Sequence, residues 1–313
     1  MFATLRGVQE IPVVAVVGAT ASGKSDLALA LAERLGGEVV NTDAMQVYRG
    51  MDIGTAKLPV AERRGVPHHL LDFMDVTETA SVAEFQRMAR AVIADCAGRG
   101  VVPILVGGSA LYTRAILDEF EFPGTDPALR AALEEELAEV GSERMHARLV
   151  ERAPDAASKI LPTNGRRIVR ALEVVELTGS FTAELPDPTY HYPAVVQIGV
   201  AIDRPTLDRR IEERAGRMWA AGLVEEVRGL VDRGLRDGAT ASRALGYRQV
   251  LAYLDGETTE DEARERTVAG TRRFARKQDG WFRGDGRVAW VAYDDPDRIE
   301  VAIGKVLRPP VSD

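Results

Sequence analysis

One cysteine, Cys96, stands in a chain of 313 residues. A lone thiol excludes an intramolecular disulfide framework and any cysteine-rich zinc site. Aromatic residues make up only 6% of the chain, which leaves few rings for stacking on bases. No apolar run approaches the ~20 residues needed to span a bilayer. The opening Met1-Phe2-Ala3-Thr4-Leu5-Arg6 lacks the charged-then-apolar layout of a signal peptide. These absences predict a cytoplasmic chain with no membrane partner. Positive charge is also in short supply, with 40 Lys and Arg against 48 Asp and Glu, a formal net charge of −8. As a sum, that argues against a nucleic-acid partner, because phosphate binding requires positive potential.

The layout of the charge argues otherwise. Arg264, Arg266, Arg272, Arg273, Arg276, Lys277, Arg283 and Arg287 face only Glu265, Asp279 and Asp285 within residues 264–287. That local +5 leaves −13 for the remainder. Arg266, Arg273 and Lys277, spaced 7 and 4 apart, share one helical face. Arg166, Arg167 and Arg170 form a second cluster. Such runs are either solvated faces or phosphate contacts, and charge alone does not separate the two.

What the chain does have is apolar content and alternation of element types. Hydrophobic residues are 45% of the total, enough for a sizeable core. Residues 11–17, 38–41 and 101–106 read as buried strands, and residues 26–35 and 81–97 as the helices between them. Alternating strands and helices imply parallel βαβ units in an α/β fold. After Pro123, Gly124 and Pro127 the pattern changes to short helices at 126–140, 142–153 and 164–177. A strand resumes at 195–202, helices dominate 204–281, and 288–293 fits a last strand. The expected organisation is a discontinuous core, 1–119 and 191–313, carrying a mostly helical insertion at 120–190.

Between the first strand and its helix lies Gly18-Ala19-Thr20-Ala21-Ser22-Gly23-Lys24-Ser25, which satisfies G-x-x-x-x-G-K-[ST]. Glycines let the backbone curl so that successive N–H groups point at phosphate oxygens, and the following helix adds its positive end. Lys24 supplies a point charge and the Ser25 hydroxyl a ligand for Mg²⁺. The loop binds a pyrophosphate without saying which compound carries it, ATP included, although the N-K-x-D guanine reader of GTPases is absent. Asp43 follows the second strand at the edge of the crevice where α/β proteins bind ligands. It is placed to be a general base, a metal ligand or a helix N-cap. Adjacent His68 and His69, without a second ligand pair, are assigned no metal role.

The ordered set of motifs resembles the tRNA dimethylallyltransferases of bacterial type. The resemblance is carried by Gly18 to Ser25, by residues 43–57 (Asp-Ala-Met-Gln-Val-Tyr-Arg-Gly-Met-Asp-Ile-Gly-Thr-Ala-Lys) and by Pro67-His68-His69-Leu70-Leu71-Asp72. Gly107 to Tyr112, Arg166 to Glu173 and Gly246-Tyr247-Arg248-Gln249 continue it in the same order. It spans about Val13 to Trp281. It implies a P-loop NTPase-like core with a helical insertion that contacts tRNA. The implied activity moves a dimethylallyl group from dimethylallyl diphosphate to the exocyclic amine of the adenosine 3′-adjacent to the anticodon. The tRNAs concerned read codons that begin with U.

In that reading the loop residues 18–25 hold the diphosphate, Mg²⁺ sits on Ser25, and Lys24 and Ser25 stabilise the leaving charge. Asp43 orients the amine and accepts its proton. Arg248 neutralises the pyrophosphate from the other side, or else is a structural ion pair. Asp43, Ala44, Met45, Gln46, Ser109, Arg130, Arg166, Arg167, Arg170, Arg273 and Lys277 become the expected tRNA contacts. Ala44 stands where the family often has Ser, which puts a hydroxyl contact there in doubt. Ser109 stands where Thr is frequent, and it either keeps a contact or caps the next helix. For Met45 and Tyr48 the competing role is core packing. The family expectation is a monomer. The rival readings are a P-loop small-molecule kinase and a nucleotide-gated RNA-binding module without chemistry.

Overall fold

The computed structural model describes residues 11–119, 121–182 and 186–307. Met1 to Arg6, the basis of the signal-peptide exclusion, lies outside the described residues, as does Phe120 at the expected boundary. The chain divides into two compact units, one of residues 1–119 and 190–313 and the other of 120–189.

The first unit is built on six parallel strands. These are β1 (Val13–Val17), β2 (Gly37–Asn41), β3 (His68–His69), β4 (Val102–Val106), β5 (Val195–Ala201) and β6 (Val288–Ala292), in the order β3-β2-β4-β1-β5-β6. Every residue of β1 is buried, as expected of a central parallel strand covered on both faces. Alternation divides its side chains between two cores. Val13, Ala15 and Val17 join one cluster while Val14 and Val16 join the other.

The second of these cores is closed by α1 (Lys24–Leu35), through Leu27 and Leu31, and by a C-terminal helix at 298–307, through Ile303 and Val306. The opposite face carries α2 (Val82–Gly98) and α3 (Ala110–Leu117), with Phe85, Ile93 and Ile116 inward. Neither β3 nor the 298–307 helix is foreseen in the sequence. β3 has two residues, too few for any periodicity to register.

The second unit holds α4 (Pro127–Val140), α5 (Ser142–Arg152), α6 (Pro154–Ala157) and α7 (Gly165–Thr178), with no strand among the described residues. Asp126 caps α4 by accepting from the N–H groups of Ala128 and Leu129, and Pro127 fits its first turn. Leu133, Met145, Leu149, Ile168 and Leu172 make this unit's own core. Tyr190 closes the expected insertion but belongs to the first unit. Its hydroxyl meets Gln197 at 2.9 Å and the Arg287 guanidinium lies 4.2 Å over its ring.

The rest of the first unit is helical: α8 (Arg204–Ala220), α9 (Leu223–Val231), α10 (Tyr247–Leu254), α11 (Glu260–Arg283) and α12 (Arg298–Leu307). A reciprocal Thr259–Glu262 capping box starts α11. Among the described residues, no helix is long and apolar enough to cross a membrane.

Candidate active site

Parallel strands deliver their following loops to one edge of the sheet, so the segments after β2, β4, β1 and β5 stand side by side. The loop after β1 needs left-handed backbone at Gly18 (φ 134°) and Gly23 (φ 99°), which glycine adopts without penalty. Ala21 adopts φ 63° without that freedom, a strain of roughly 1–2 kcal/mol held at the tip of the curl. Ser22 is buried, and its hydroxyl has no hydrogen-bond partner.

Lys24 opens α1 and folds back to donate from Nζ to the Ala19 carbonyl at 2.6 Å. Desolvation, with the Arg214 cation adding to it, lowers its pKa to about 7, against the opposing pull of Asp43. Arg214 reaches the same loop from α8 and donates to Thr20 Oγ1 at 3.2 Å. Its pKa is lowered too, by burial first and then by Arg217 and Arg210, while Asp43 raises it. Two desolvated cations therefore share one carboxylate. That excess of positive charge, in a concave run of backbone N–H groups, suits a polyanion.

Asp43 is half-buried and ends in an Asx turn: its Oδ1 accepts from the Met45 N–H at 2.9 Å. The Asn41 side chain frames it, accepting from the Asp43 N–H at 2.8 Å and donating to the carbonyls of Asp43 and Leu70. No helix follows, so the N-cap role considered for Asp43 is not the one it plays. Its second carboxylate oxygen makes no hydrogen bond among the described residues.

Gly107 and Gly108 end β4 between these two segments. A Cβ at Gly107 would sit 2.2 Å from Thr42 Oγ1, and one at Gly108 2.2 Å from Gln278 Nε2. The pair is glycine because two neighbours pack against its backbone. Ser109 starts α3 without a side-chain capping bond, which removes the cap explanation for it.

The remaining expected residues separate clearly. Ser25 is exposed in the first turn of α1, and its hydroxyl makes no hydrogen bond among the described residues. Ala44 and Met45 pack against the core beside fully buried Tyr48, and the Gln46 amide donates to the Thr55 carbonyl at 3.2 Å. Arg248 is exposed on α10, and no contact among the described residues joins it to the loop. Arg214, by contrast, does reach that loop. In the second unit, Arg130 and Arg170 both bond the fully buried carboxylate of Glu173, and Arg170 also donates to the carbonyls of Pro123 and Gly124. Burial pushes the Glu173 pKa up, but the two guanidiniums more than offset it and the net shift is downward. These two arginines hold their own unit together through Glu173. Arg166 and Arg167 are exposed on α7, and Arg273 and Lys277 are exposed on α11 with no ion pair among the described residues.

Sequence reasoning missed Arg214, Gln278, Glu226 and two exposed aromatics. Arg210, Arg214 and Arg217, spaced 4 and 3 apart on α8, are a visible signal, lost among many arginines. Glu226 on α9 accepts from the N–H groups of Asp52, Ile53 and Gly54 and from the Tyr247 hydroxyl, joining two of the quoted motifs. Lys57, buried, donates to the Tyr48 carbonyl and pairs with Asp52 and Asp72, which fixes the same loop from within. Phe274 and Trp281 are 42% and 52% exposed on α11, so the scarce rings are displayed beside its cations. Away from this edge, Glu38, His69 and Cys96 cluster closely enough to suggest metal ligands. Arg99 closes on Glu38 with two 2.7 Å bonds, and burial pushes the Cys96 thiol up to about 11, so the cluster is an ion-paired network.

The family model described as IPP transferase matches residues 46–285. The tRNA dimethylallyltransferase of Nocardioides sp. (strain ATCC BAA-499 / JS614) is 65% identical over 296 residues, covering 94% of this chain and 96% of that protein. The tRNA dimethylallyltransferase of Thermobifida fusca (strain YX) is 63% identical over 302 residues, covering 95% and 94%. Among solved structures, the tRNA isopentenylpyrophosphate transferase of Bacillus halodurans superposes with a TM-score of 0.70 at 39% identity, covering 95% of this chain and 97% of that one. A eukaryotic dimethylallyltransferase acting on tRNA gives a TM-score of 0.79 at 25% identity, covering 94% and 76%.

Proposed function

The chain belongs to the IPP transferase family, and from that premise we propose that it is a tRNA prenyltransferase. It transfers the dimethylallyl group of dimethylallyl diphosphate to the exocyclic amine of the adenosine 3′-adjacent to the anticodon, in tRNAs reading codons that begin with U. The observation that carries the reading is the convergence of a phosphate loop, two desolvated cations and one half-buried carboxylate at a single sheet edge. The family match and the named relatives support prenyl transfer over a kinase or a binding module without chemistry. A cytoplasmic monomer follows as the expected working state.

In the reaction, the allylic C–O bond breaks as an N–C bond forms to the adenine amine, and diphosphate departs with the bonding electrons. Charge builds on the departing oxygens, where the loop N–H groups, Lys24 and Arg214 are already oriented. Lys24 poised at about 7 takes up its proton as the anion arrives, so its charge is fullest when the leaving group needs it. The free oxygen of Asp43 accepts the hydrogen bond of the attacking amine and then its proton. Residues 44–46 flank that carboxylate and would line the adenine's approach, with Ser109 offering a hydroxyl nearby on α3.

The exposed Ser25 hydroxyl at the start of α1, without a hydrogen-bond partner among the described residues, is a hard oxygen donor that fits Mg²⁺. When bound there, Mg²⁺ supplies further charge neutralisation to the diphosphate. The exposed cations Arg273 and Lys277, with Arg166 and Arg167 on the second unit, supply phosphate contacts to the anticodon stem-loop.

Incubation with labelled dimethylallyl diphosphate, Mg²⁺ and an anticodon stem-loop tests the proposal. Label passes to RNA with the wild type and not with Asp43→Ala. Hydrolysis of ATP with no transfer to any tRNA refutes it.

A further inference from the structure

Gln278 is a buried amide on α11 with both ends committed. Its Oε1 accepts from the Thr20 N–H at 2.8 Å, and its Nε2 donates to the Gly108 carbonyl at 2.9 Å. One side chain, 258 residues from its partner in the loop, thus ties the loop after β1 to the segment after β4. A Cβ at Gly108 would stand 2.2 Å from Nε2, so the absence of a side chain there makes room for this bridge. Thr20 is also the residue whose hydroxyl receives Arg214. The bridge therefore sets the backbone that carries the acceptor of that cation.

We propose that Gln278 is a positioning residue for the diphosphate. It draws the Thr20 N–H outward, leaves the later N–H groups of the loop to converge on the phosphates, and presents the Thr20 hydroxyl to Arg214. Without the amide, the Thr20 N–H and the Gly108 carbonyl lose their partners in a closed place, and the loop turns toward whichever acceptor it finds. This role rests on the prenyl-transfer reading for its substrate, but it predicts diphosphate binding whether or not transfer occurs.

The test measures inorganic diphosphate binding by calorimetry on the full chain, beside steady-state kinetics and tRNA affinity. Gln278→Leu keeps the bulk and removes both hydrogen bonds. Its diphosphate affinity falls about tenfold and KM for dimethylallyl diphosphate rises by a similar factor, with kcat and tRNA Kd within about twofold. Gly108→Ala displaces the same amide from its other end and reproduces the loss, which covers the case in which Gln278→Leu does not fold. In a Gln278→Ala background, Gly108→Ala adds no more than about twofold, because the next neighbour, the Gly18 carbonyl, is 3.4 Å away. Wild-type diphosphate affinity in either folded single variant overturns the inference, as does an equal loss of tRNA affinity. Failure of the wild type to transfer label would instead overturn the functional reading and leave the calorimetric result to stand.

Discussion

Replacing Lys24 by Met should stabilise the ligand-free protein while disabling it. The ammonium is held where its pKa falls from 10.5 to about 7. At ~1.4 kcal/mol per unit this is a ceiling near 5 kcal/mol, and with solvent reaching the loop a working figure of ~2 kcal/mol is reasonable. The sign follows from proton counting. Below pH 7 both folded and unfolded chains hold the proton, and the folded state bears the full penalty. Between 7 and 10.5 the unfolded chain holds it and the folded chain has released it, so stability rises with pH. Urea unfolding without ligand should show Lys24→Met more stable than the wild type by ~2 kcal/mol near pH 6, with the gap closing toward pH 9. Inorganic diphosphate should stabilise the wild type and not the variant, and prenyl transfer should fall by about 10²–10³. A variant no more stable than the wild type near pH 6, or a gap that does not change with pH, refutes the picture of Lys24 as a desolvated cation awaiting an anion.

Other residues give separate tests. Arg214→Gln should lower kcat for prenyl transfer by about 10² with tRNA affinity unchanged, whereas Arg248→Gln should leave the diphosphate KM within about threefold. Arg130→Ala leaves the buried Glu173 carboxylate with one guanidinium instead of two, and should lower the unfolding stability of the second unit by roughly 3 kcal/mol in chemical denaturation. Neutralising Arg273 and Lys277 together should reduce the slope of log affinity against log salt for an anticodon stem-loop by about 1.4. Trp281→Ala should weaken that stem-loop by about 1–3 kcal/mol in a filter-binding or anisotropy assay if the exposed ring stacks on a base.

The phosphate loop and Asp43 were legible in the sequence because each lies at a fixed offset from a buried strand, and parallel strands bring such offsets to one edge. β1, β4 and β5 announced themselves as mostly apolar runs, Gln197 in β5 excepted, because their interiors are buried on both faces. What sequence could not sort was the arginines. Net charge gave −8, local charge gave a basic stretch, and neither says which guanidinium has already met a carboxylate. Arg170 lies in a sequence cluster that looks poised for phosphate, and Arg130 was an expected tRNA contact, yet Glu173 claims both. Arg214 lies in an α8 segment where acidic and basic residues alternate, yet it ends beside a loop with a surplus of positive charge. The distinction is made by helix packing, through contacts between residues far apart in the chain. Gly246-Tyr247-Arg248-Gln249 shows the same point from the other side. The motif drew attention to its charged member, while the structure uses Tyr247 and Gln249, one donating to Glu226 and the other accepting from the Gly246 N–H. A guanidinium free to serve a ligand is one that folding has left without a carboxylate of its own. By that criterion Arg214, Arg273 and Lys277 among the cations are candidates for chemistry and recognition, and Arg130 and Arg170 for stability.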